Sequence, residues 1–492
     1  MARATKQLTL GASPAFRLPD LSGIAEGVIA SPAQDARLET TYFDTADLRL
    51  ARWGLVLRQR GRRWLLAIPN GEERPPAELG FDGPARRPPE AALALVRSYV
   101  RGEPVEPVAR LSSLCRRVAL VDGAGRRLAE IVDDEVSVLH GRRVAARFRE
   151  VEIEIQPGGD PLLAALLERL RGAGAGRVDR TPQHVRILGP AAMGEPDVAV
   201  PDMPREPAAA DVVRRALAAG VQLVLRHDAL VRLGGDPEHV HQARVGTRRL
   251  RSHLRTFRTL LEPAWAEGLR EELGWLAAEL GAVRDREVLH ERLLALIASL
   301  PAVDVRPAAA LAEILTTEME AARVRLLETM STRRYYDLVD RLVEAAARPA
   351  LVEAAQRPAA EVLPEIARGP WRRLKQAVRA LDAHPPDEEL HRVRILAKRV
   401  RYAAEAAAPA VGSDASRFGK LAAALQEVLG EHQDSVTLQA WLRATAGGGR
   451  RRAFVAGELH AVEATRAEAA RAGWPETWRR LSRPRAREWF QR

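Results

Sequence analysis

The chain has 492 residues, and its 76 lysines and arginines outnumber its 65 aspartates and glutamates, which gives a formal net charge of +11 at pH 7. This length is sufficient for two or three domains with hydrophobic cores of their own. The single cysteine, Cys115, excludes an intrachain disulfide and a cysteine-based zinc cluster. The sequence contains neither an apolar signal core nor a run long enough to span a bilayer, so we expect a cytoplasmic protein.

The bulk charge says little about function, because nearly all the basic residues are arginine in an alanine-rich chain. Lysine occurs at four positions: Lys6, Lys375, Lys398 and Lys420. Such a composition is typical of GC-rich coding bias, so the placement of the charges carries the functional information.

Residues 1–189 alternate between polar and apolar residues in the manner of β-strands. The alternation places Arg58 and Arg60 on one face of a strand, and it places Glu150, Glu152 and Glu154 on one face of another. These charged faces either line a polar tunnel or face solvent on one side of a sheet. Further elements are expected as a hairpin of residues 118–121 and 129–132, a strand at 137–139 and a helix at 162–171.

A proline-rich linker is predicted at residues 190–207, and helical periodicity continues from residue 208 to residue 492. The first half of this region, about 208–347, predicts helices at 211–233, 237–261, 264–283, 286–299, 308–328 and 335–347. Prolines between 349 and 370 indicate a crossover segment. The second half, about 370–480, predicts helices at 371–381, 387–406, 416–431, 435–444 and 451–472, followed by a surface tail.

One predicted helix carries a stripe of cations. Asp236 is its expected N-cap, and Pro237 suits the first helical position. The opposite face is apolar, with residues such as Leu250 and Leu254, so the helix is amphipathic with a basic face. The basic stripe consists of His241, Arg244, Arg248, Arg251 and Arg255, with Arg249 beside it.

The stripe occurs twice. The second copy lies 150 residues later (391 − 241 = 150) and consists of His391, Arg394, Lys398 and Arg401, with Arg399 beside it. A second motif repeats at nearly the same distance, Leu280-Gly281 to Asp285 against Leu429-Gly430 to Asp434 (434 − 285 = 149). Two motifs at one offset predict a duplicated helical unit. Asp285 and Asp434 either orient the arginines or cap helices.

Arginines spaced by one helical turn form an array that a linear polyanion can bridge, because each guanidinium matches a pair of phosphate oxygens. Nucleic acid is the rival ligand, although stacking aromatics are not interleaved with the arginines. Glu238-x-x-His241 and Glu388-x-x-His391 also resemble di-iron ligand pairs. The cations that follow on the same face would repel a metal ion, so no metal is expected there.

These repeated motifs resemble the CHAD domain, the conserved-histidine α-helical domain, over roughly residues 205–492. The resemblance implies two similar four-helix bundles related by a pseudo-twofold axis. It also implies that the basic residues face a central cleft that binds inorganic polyphosphate.

Residues 5–189 resemble the CYTH domain, or triphosphate tunnel fold, through residues 41–50, Arg58 and Arg60, and the acidic strand around Glu152. That resemblance implies an antiparallel, tunnel-like β-barrel. CYTH enzymes act on triphosphates with a divalent metal, and their first strand carries Glu-x-Glu-x-Lys. Here the corresponding residues are Thr5, Gln7 and Thr9, and Ala67 stands where a lysine is usual.

We therefore expect an α+β protein with a β-barrel domain at 1–189, a linker at 190–207 and a CHAD domain at 208–492. Its expected function is polyphosphate binding in the cytoplasm, with polyphosphate granules as a candidate location, and without catalysis, membrane binding or a resident cofactor. Arg58 and Arg60 are candidates for a residual anion site. One alternative is an atypical triphosphatase that uses Mg²⁺ or Mn²⁺ at Glu150 and Glu152; the other is a general polyanion or nucleic-acid binder.

Overall fold

The computed structural model describes residues 6–71, 74–140, 143–179 and 181–490. The chain divides into two compact units, one up to Asp197 and the other from Val198 onward. This division falls inside the proline-rich segment. Thr5 lies outside the described residues.

An antiparallel sheet forms most of the first unit. Its strands are β1 Lys6–Ala12, β2 Val28–Ala30, β3 Gln34–Asp44, β4 Val56–Arg60, β5 Arg63–Ile68, β6 Ala77–Asp82, β7 Glu106–Asp122, β8 Arg127–His140, β9 Arg143–Ile155 and β10 Ala175–Val178. The order of hydrogen-bonded neighbours is β10-β1-β9-β8-β7-β3-β4-β5-β6, and β2 pairs with β7. Within the described residues the end strands β6 and β10 do not pair with each other. The ladder of hydrogen bonds is therefore open between these two strands; the antiparallel sheet agrees with the prediction, and its tunnel-like barrel form stays a prediction.

Four helices accompany the sheet: α1 Arg49–Arg52, α2 Glu90–Val100, α3 Leu162–Gly172 and α4 Gln183–Leu188. The predicted helix at 162–171 is confirmed as α3. Its residues Leu166 and Leu170 are buried in one core with Ile131 and Ile153 of the sheet. Because side chains alternate along a strand, the residues between these apolar ones point to the opposite face of the sheet.

The strands β7 and β8 are much longer than the predicted hairpin, and residues 137–139 belong to β8 rather than to a separate strand. Charged residues interrupt the apolar alternation without ending the strands. Arg149 of β9 illustrates the reason, since its Nε and Nη2 atoms donate to the Asp133 carboxylate at 2.7 Å each. Paired in this way, both charges are accommodated while buried.

The second unit is helical. Its α-helices are α5 Ala209–Leu233, α6 Pro237–Thr256, α7 Pro263–Ile297, α8 Ala302–Met330, α9 Arg333–Ala347, α10 Ala359–Arg379, α11 Asp387–Val411, α12 Ser413–Thr445 and α13 Arg450–Leu481. Successive helices from α5 to α8 pack against each other, and so do those from α10 to α13. None of the helices in the described ranges has the length and apolar character needed to cross a bilayer.

The two series of helices meet in a reciprocal backbone contact. The amide of Ala209 donates to the carbonyl of Arg357, and the amide of Ala359 donates to the carbonyl of Pro207, both at 2.9 Å. Residues 207 and 209 differ from residues 357 and 359 by the same 150 positions that separate the two stripes.

Several predicted boundaries in this unit are wrong. The helices α7 and α12 are each continuous where two helices were predicted, and α10 continues through Pro364 and Pro370, which were assigned to a crossover. Both prolines are buried, so packing compensates for the backbone hydrogen bonds that they cannot donate. The end of the predicted surface tail is buried, because Trp489 and Phe490 pack against Phe418 with ring centroids 5.9 and 5.2 Å away, whereas Arg483 and Arg485 are exposed as predicted.

Candidate functional site

The helix α6 is fixed in register so that its basic face points away from α5. Asp236 caps it as predicted, and its Oδ1 accepts the amide of Glu238 at 2.9 Å. Leu250 and Leu254 are fully buried. At Gly246 an added Cβ would lie 2.8 Å from Val224 and 3.1 Å from the carbonyl of Gly220, so glycine permits this close approach to α5.

The repeated glycine and aspartate motif forms a platform for one arginine in each half of the repeat. A Cβ at Gly281 of α7 would lie 3.8 Å from the guanidinium of Arg244, and a Cβ at Gly430 of α12 would lie 3.5 Å from that of Arg394. Four residues after Gly281, Asp285 accepts a hydrogen bond from Arg244 at 2.7 Å. Each glycine therefore leaves space for a guanidinium to rest against the neighbouring helix.

The two motif aspartates lie within α7 and α12, so neither caps a helix. Burial raises the pKa of Asp434, and the charges of Arg394 and Arg292 oppose that rise. Both aspartates thus act on the arginines, which is the first of the two roles considered from the sequence.

The two basic faces meet, since α6 packs against α11. Arg248 donates from Nε to the hydroxyl of Tyr402 at 2.7 Å. Burial, followed by the charges of Arg394, Arg248 and Arg244, lowers the pKa of Lys398 to about 7. The cations of α6 are therefore close enough to oppose the charge on α11.

The two histidines stand beside these cations. Burial, followed by the charge of Arg284, lowers the pKa of His241, which favours the neutral imidazole. The Nδ1 atom of His391 lies 2.6 Å from Oε1 of Gln433, so Nδ1 donates a hydrogen bond to this amide oxygen. We call His241, Arg244, Arg248, His391, Arg394 and Lys398 together the central basic cluster.

The structure adds residues that were not predicted from the sequence. Arg284 comes directly before Asp285 and acts on His241, and Gln433 comes directly before Asp434 and contacts His391. These two residues are themselves 149 positions apart, so the repeated motif could have identified them. Tyr402 follows Lys398 by four residues and lies on the same helix face, which periodicity also indicates.

The remaining predicted cations have other neighbours. Arg249 and Arg401 both reach Glu405, at 3.8 and 2.5 Å. Arg251 lies over Gly274, where an added Cβ would be 3.6 Å from Nη2. Arg255 and Arg399 line a separate pocket of about 360 Å³. Residues one position apart differ by about 100° around a helix, so Arg249 and Arg399 point away from Arg248 and Lys398.

The first unit contains a polar cavity of about 800 Å³ on the face of the sheet opposite α3. In the sheet register Gln7 lies opposite Glu154, and Thr9 lies opposite Glu152. Arginines and carboxylates both line the cavity. Its charged lining consists of Arg58, Arg60, Glu152 and Glu154 from the two predicted charged strand faces, together with Glu130, Arg117, Asp134, Asp179 and Arg186.

Glu150 lies behind this lining. It is fully buried, forms an ion pair with Arg186 and accepts a hydrogen bond from Gln183 at 2.5 Å. Burial raises its pKa to about 7, against the opposing charge of Arg186, and burial also raises the pKa of Glu152. Among the residues that the structure describes, no three His, Cys, Asp or Glu side chains are grouped so that they could hold a metal ion.

Comparison with known proteins identifies the helical unit. The family model described as "CHAD domain" matches residues 215–443, which include both halves of the central basic cluster. The chain contains a CHAD domain. Two relatives are similar to nearly the whole chain: the uncharacterized proteins MT2285 and Rv2226 of two Mycobacterium tuberculosis strains. Each is 31% identical over 506 aligned residues, which cover 94% of this chain and 94% of the relative.

Two solved structures are similar to the CHAD-domain part of the chain. PptA from Streptomyces chartreusis is 27% identical, with a TM-score of 0.49, and the match covers 55% of this chain and 99% of PptA. The CHAD domain from the plant Ricinus communis is 30% identical, with a TM-score of 0.45, and the match covers 56% and 95% of the two chains.

Proposed function

We propose that the CHAD domain of this protein binds inorganic polyphosphate in the central basic cluster. The observation that carries the proposal is the meeting of four cations from two helices, Arg244 and Arg248 with Arg394 and Lys398, with Asp285 and Asp434 as their carboxylate partners. The cations exceed these carboxylates, and burial, followed by the charges of the neighbouring arginines, lowers the pKa of Lys398 to about 7. A polyanion would relieve this repulsion.

A linear phosphate chain suits the spacing of these cations. Arg244 and Arg248 are about one helical turn apart, and so are Arg394 and Lys398, which corresponds to roughly 5–6 Å along each helix. A chain lying between α6 and α11 would meet a donor at each turn on both sides. A single phosphate would use one or two of these donors.

The same proposal includes a pseudo-twofold relation between two four-helix bundles, α5–α8 and α10–α13. The reciprocal hydrogen bonds of Ala209 and Ala359 support it, because a local twofold axis between residues 208 and 358 produces this pattern. The matched glycine platforms for Arg244 and Arg394 support it as well.

For the first unit, the proposal is a CYTH-like domain that has lost catalysis. Gln7 faces the acidic strand at a position where the resemblance implies a carboxylate, and Thr9 faces it where the resemblance implies the lysine. Glutamine retains polar atoms but not the negative charge that anchors Mg²⁺ or Mn²⁺, and threonine lacks the positive charge that would contact phosphate. Arg58 and Arg60 remain in the cavity as a residual anion site. A cytoplasmic location on polyphosphate granules also belongs to this proposal.

Competition binding tests the choice of ligand. Labelled DNA is bound to the full-length protein and displaced by long-chain polyphosphate at matched phosphate concentration, and the reverse titration is also performed, at several salt concentrations. Polyphosphate should displace DNA at each salt concentration, while DNA should not displace polyphosphate. Equal affinities would instead favour a general polyanion or nucleic-acid binder.

A further inference from the structure

A second group of arginines surrounds the pocket that contains Arg255 and Arg399. The pocket has a volume of about 360 Å³ and lies between the end of α6, the segment before α10, and the helices α10 and α11. Its acidic lining residue is Glu365. We call it the arginine pocket, and its five basic lining residues are Arg255, Arg258, Arg357, Arg373 and Arg399.

The repeat supplies an internal comparison for this pocket. A related pocket of about 300 Å³ lies on α5, α6 and α11. Each of its lining residues except His253 has a counterpart 150 positions away in the lining of the arginine pocket; Val212, for example, corresponds to Val362. In the related pocket Arg249 pairs with Glu405 at 3.8 Å. The counterpart of Arg249 is Arg399, but the counterpart of Glu405 is Arg255. An ion pair in one half of the repeat is thus replaced by two arginines in the other.

Two further cations are specific to the arginine pocket. Arg258 and Arg373 correspond to Ala408 and Leu223, which are uncharged. Within the described part of the chain, Arg255, Arg258, Arg373 and Arg399 form no ion pair. Arg357 reaches Glu361 at 3.5 Å.

The electrostatics of the pocket agree with this arrangement. Burial, followed by the charges of Arg255 and Arg373, lowers the pKa of the Arg399 guanidinium. Burial, followed by the charges of Arg270, Arg373 and Arg258, lowers that of Arg255. Like charges this close destabilise the empty pocket, so an anion that binds there gains from every one of them.

The arginine pocket is distinct from the central basic cluster. Arg394 rests over Gly430 on the α12 side of α11, whereas Arg399 lines the pocket on the α10 side together with Gly369 and Arg373. Arg394 of the central basic cluster and Arg399 of the arginine pocket therefore lie on different sides of α11.

We propose that the arginine pocket is a second anion site, which takes a compact oligophosphate of about three phosphoryl groups, either free or as part of a nucleoside triphosphate. Its guanidinium groups converge on one small volume instead of forming a row, which fits a short and highly charged ligand. Apolar residues such as Leu260, Val362 and Ile366 complete the wall, and they would contact the nucleoside if one is present.

Calorimetric titration of the full-length protein with tripolyphosphate and, separately, with ATP, both without metal and at near-physiological salt, tests the proposal. Arg373→Leu installs the residue found at the related position, and Arg255→Glu restores the carboxylate that Glu405 supplies there. Each change should weaken tripolyphosphate binding about tenfold or more. Arg215→Ala removes one charge from the related pocket and should leave binding unchanged. Melting temperatures check that each variant is folded.

The double variant Arg244→Gln/Arg248→Gln separates this site from the central basic cluster. It should retain one tripolyphosphate site that Arg373→Leu then removes, whatever its effect on long-chain polyphosphate. Tighter binding of ATP than of tripolyphosphate would identify the nucleotide as the source, and the opposite order would identify the free oligophosphate. Wild-type affinity in folded Arg373→Leu and Arg255→Glu variants, or absence of tripolyphosphate binding in the wild type, would overturn the proposal.

Discussion

The polar cavity of the first unit and the central basic cluster of the CHAD domain both gather arginines, but they treat the charge differently. In the cavity Arg186 is paired with the buried Glu150, and Arg58 and Arg60 share the space with Glu152 and other carboxylates. In the cluster the cations exceed the carboxylates around them. The comparison indicates that an arginine is available to a ligand only when nearby carboxylates do not already neutralise its charge.

The same contrast appears in the two groups that titrate near neutral pH. Burial raises the pKa of Glu150 to about 7, so the cavity holds a carboxyl group that is partly protonated at neutral pH. Burial and neighbouring cations lower the pKa of Lys398 to about 7, so the cluster holds an amine that is partly neutral. A partly protonated Glu150 makes the cavity poorly suited to a dication. In the cluster, a bound anion would favour the protonated, positively charged form of Lys398.

The largest expected effect comes from neutralising either face of the cluster. Arg244→Gln/Arg248→Gln and Arg394→Gln/Lys398→Gln should each weaken long-chain polyphosphate binding about 100-fold, or about 3 kcal/mol, since each pair removes two charge-assisted contacts. Arg333→Gln/Arg348→Gln removes two exposed charges as a control and should have little effect. Unchanged affinity in both cluster variants, with preserved circular dichroism, would contradict the shared site.

A smaller loss is expected when the glycine platforms are filled. Gly281→Leu and Gly430→Leu should each displace the arginine that rests there and weaken polyphosphate binding about tenfold. Gly457→Leu in α13 is the control, because an added Cβ there meets no atom within 4 Å. If folded platform variants bind like the control, the arginines do not depend on these glycines.

The pH dependence of binding sharpens the contrast further. A bound polyanion raises the pKa of Lys398, so binding takes up a proton when the free protein is measured above pH 7. Affinity should therefore fall about fivefold between pH 6 and pH 8, and Lys398→Met should remove most of this slope. Burial also lowers the pKa of His241, and any slope that remains in Lys398→Met includes the titration of this histidine. A slope of the opposite sign would refute the role of Lys398.

No effect is expected from the cavity in a hydrolysis assay. The wild type should release no phosphate from tripolyphosphate or ATP above a blank, with Mg²⁺ or Mn²⁺, and Glu150→Gln/Glu152→Gln should behave in the same way. Metal-dependent turnover that disappears in this variant would instead indicate an atypical triphosphatase.

The sequence predicts the repeated parts of this protein well, because two copies support each other. The caps and buried face of α6, and the pairing of Arg244 with Asp285, follow from periodicity and motif spacing. The helix boundaries at α7 and α12 do not, since local polar residues at 284–286 and 431–435 interrupt the apolar pattern without breaking the helix. Burial of Trp489 depends on tertiary packing against Phe418, which the arginine-rich tail conceals.

The arginine pocket was missed for another reason. Arg255 and Arg399 read as members of the two stripes, whereas Arg357 and Arg373 belong to other segments, so their convergence follows from the packing of α10 against α11. The substitution of Arg255 for the residue that matches Glu405 was visible in the repeat. The sequence alone could not show that this substitution replaces an ion pair, because that requires the contact between Arg249 and Glu405.

Protection of Lys398 from acylation tests polyphosphate binding at the cluster most directly, because the chain has four lysines and a pKa near 7 makes this amine reactive at neutral pH. The full-length protein is treated briefly with an acetylating reagent at pH 7.5, with and without long-chain polyphosphate, and each lysine is followed by mass spectrometry. Bound polyphosphate should raise the pKa of Lys398 and shield its amine from the reagent. Acetylation of Lys398 should therefore fall severalfold, while Lys375 and Lys420 react as before. Equal labelling of Lys398 with and without saturating polyphosphate would contradict binding at the central basic cluster.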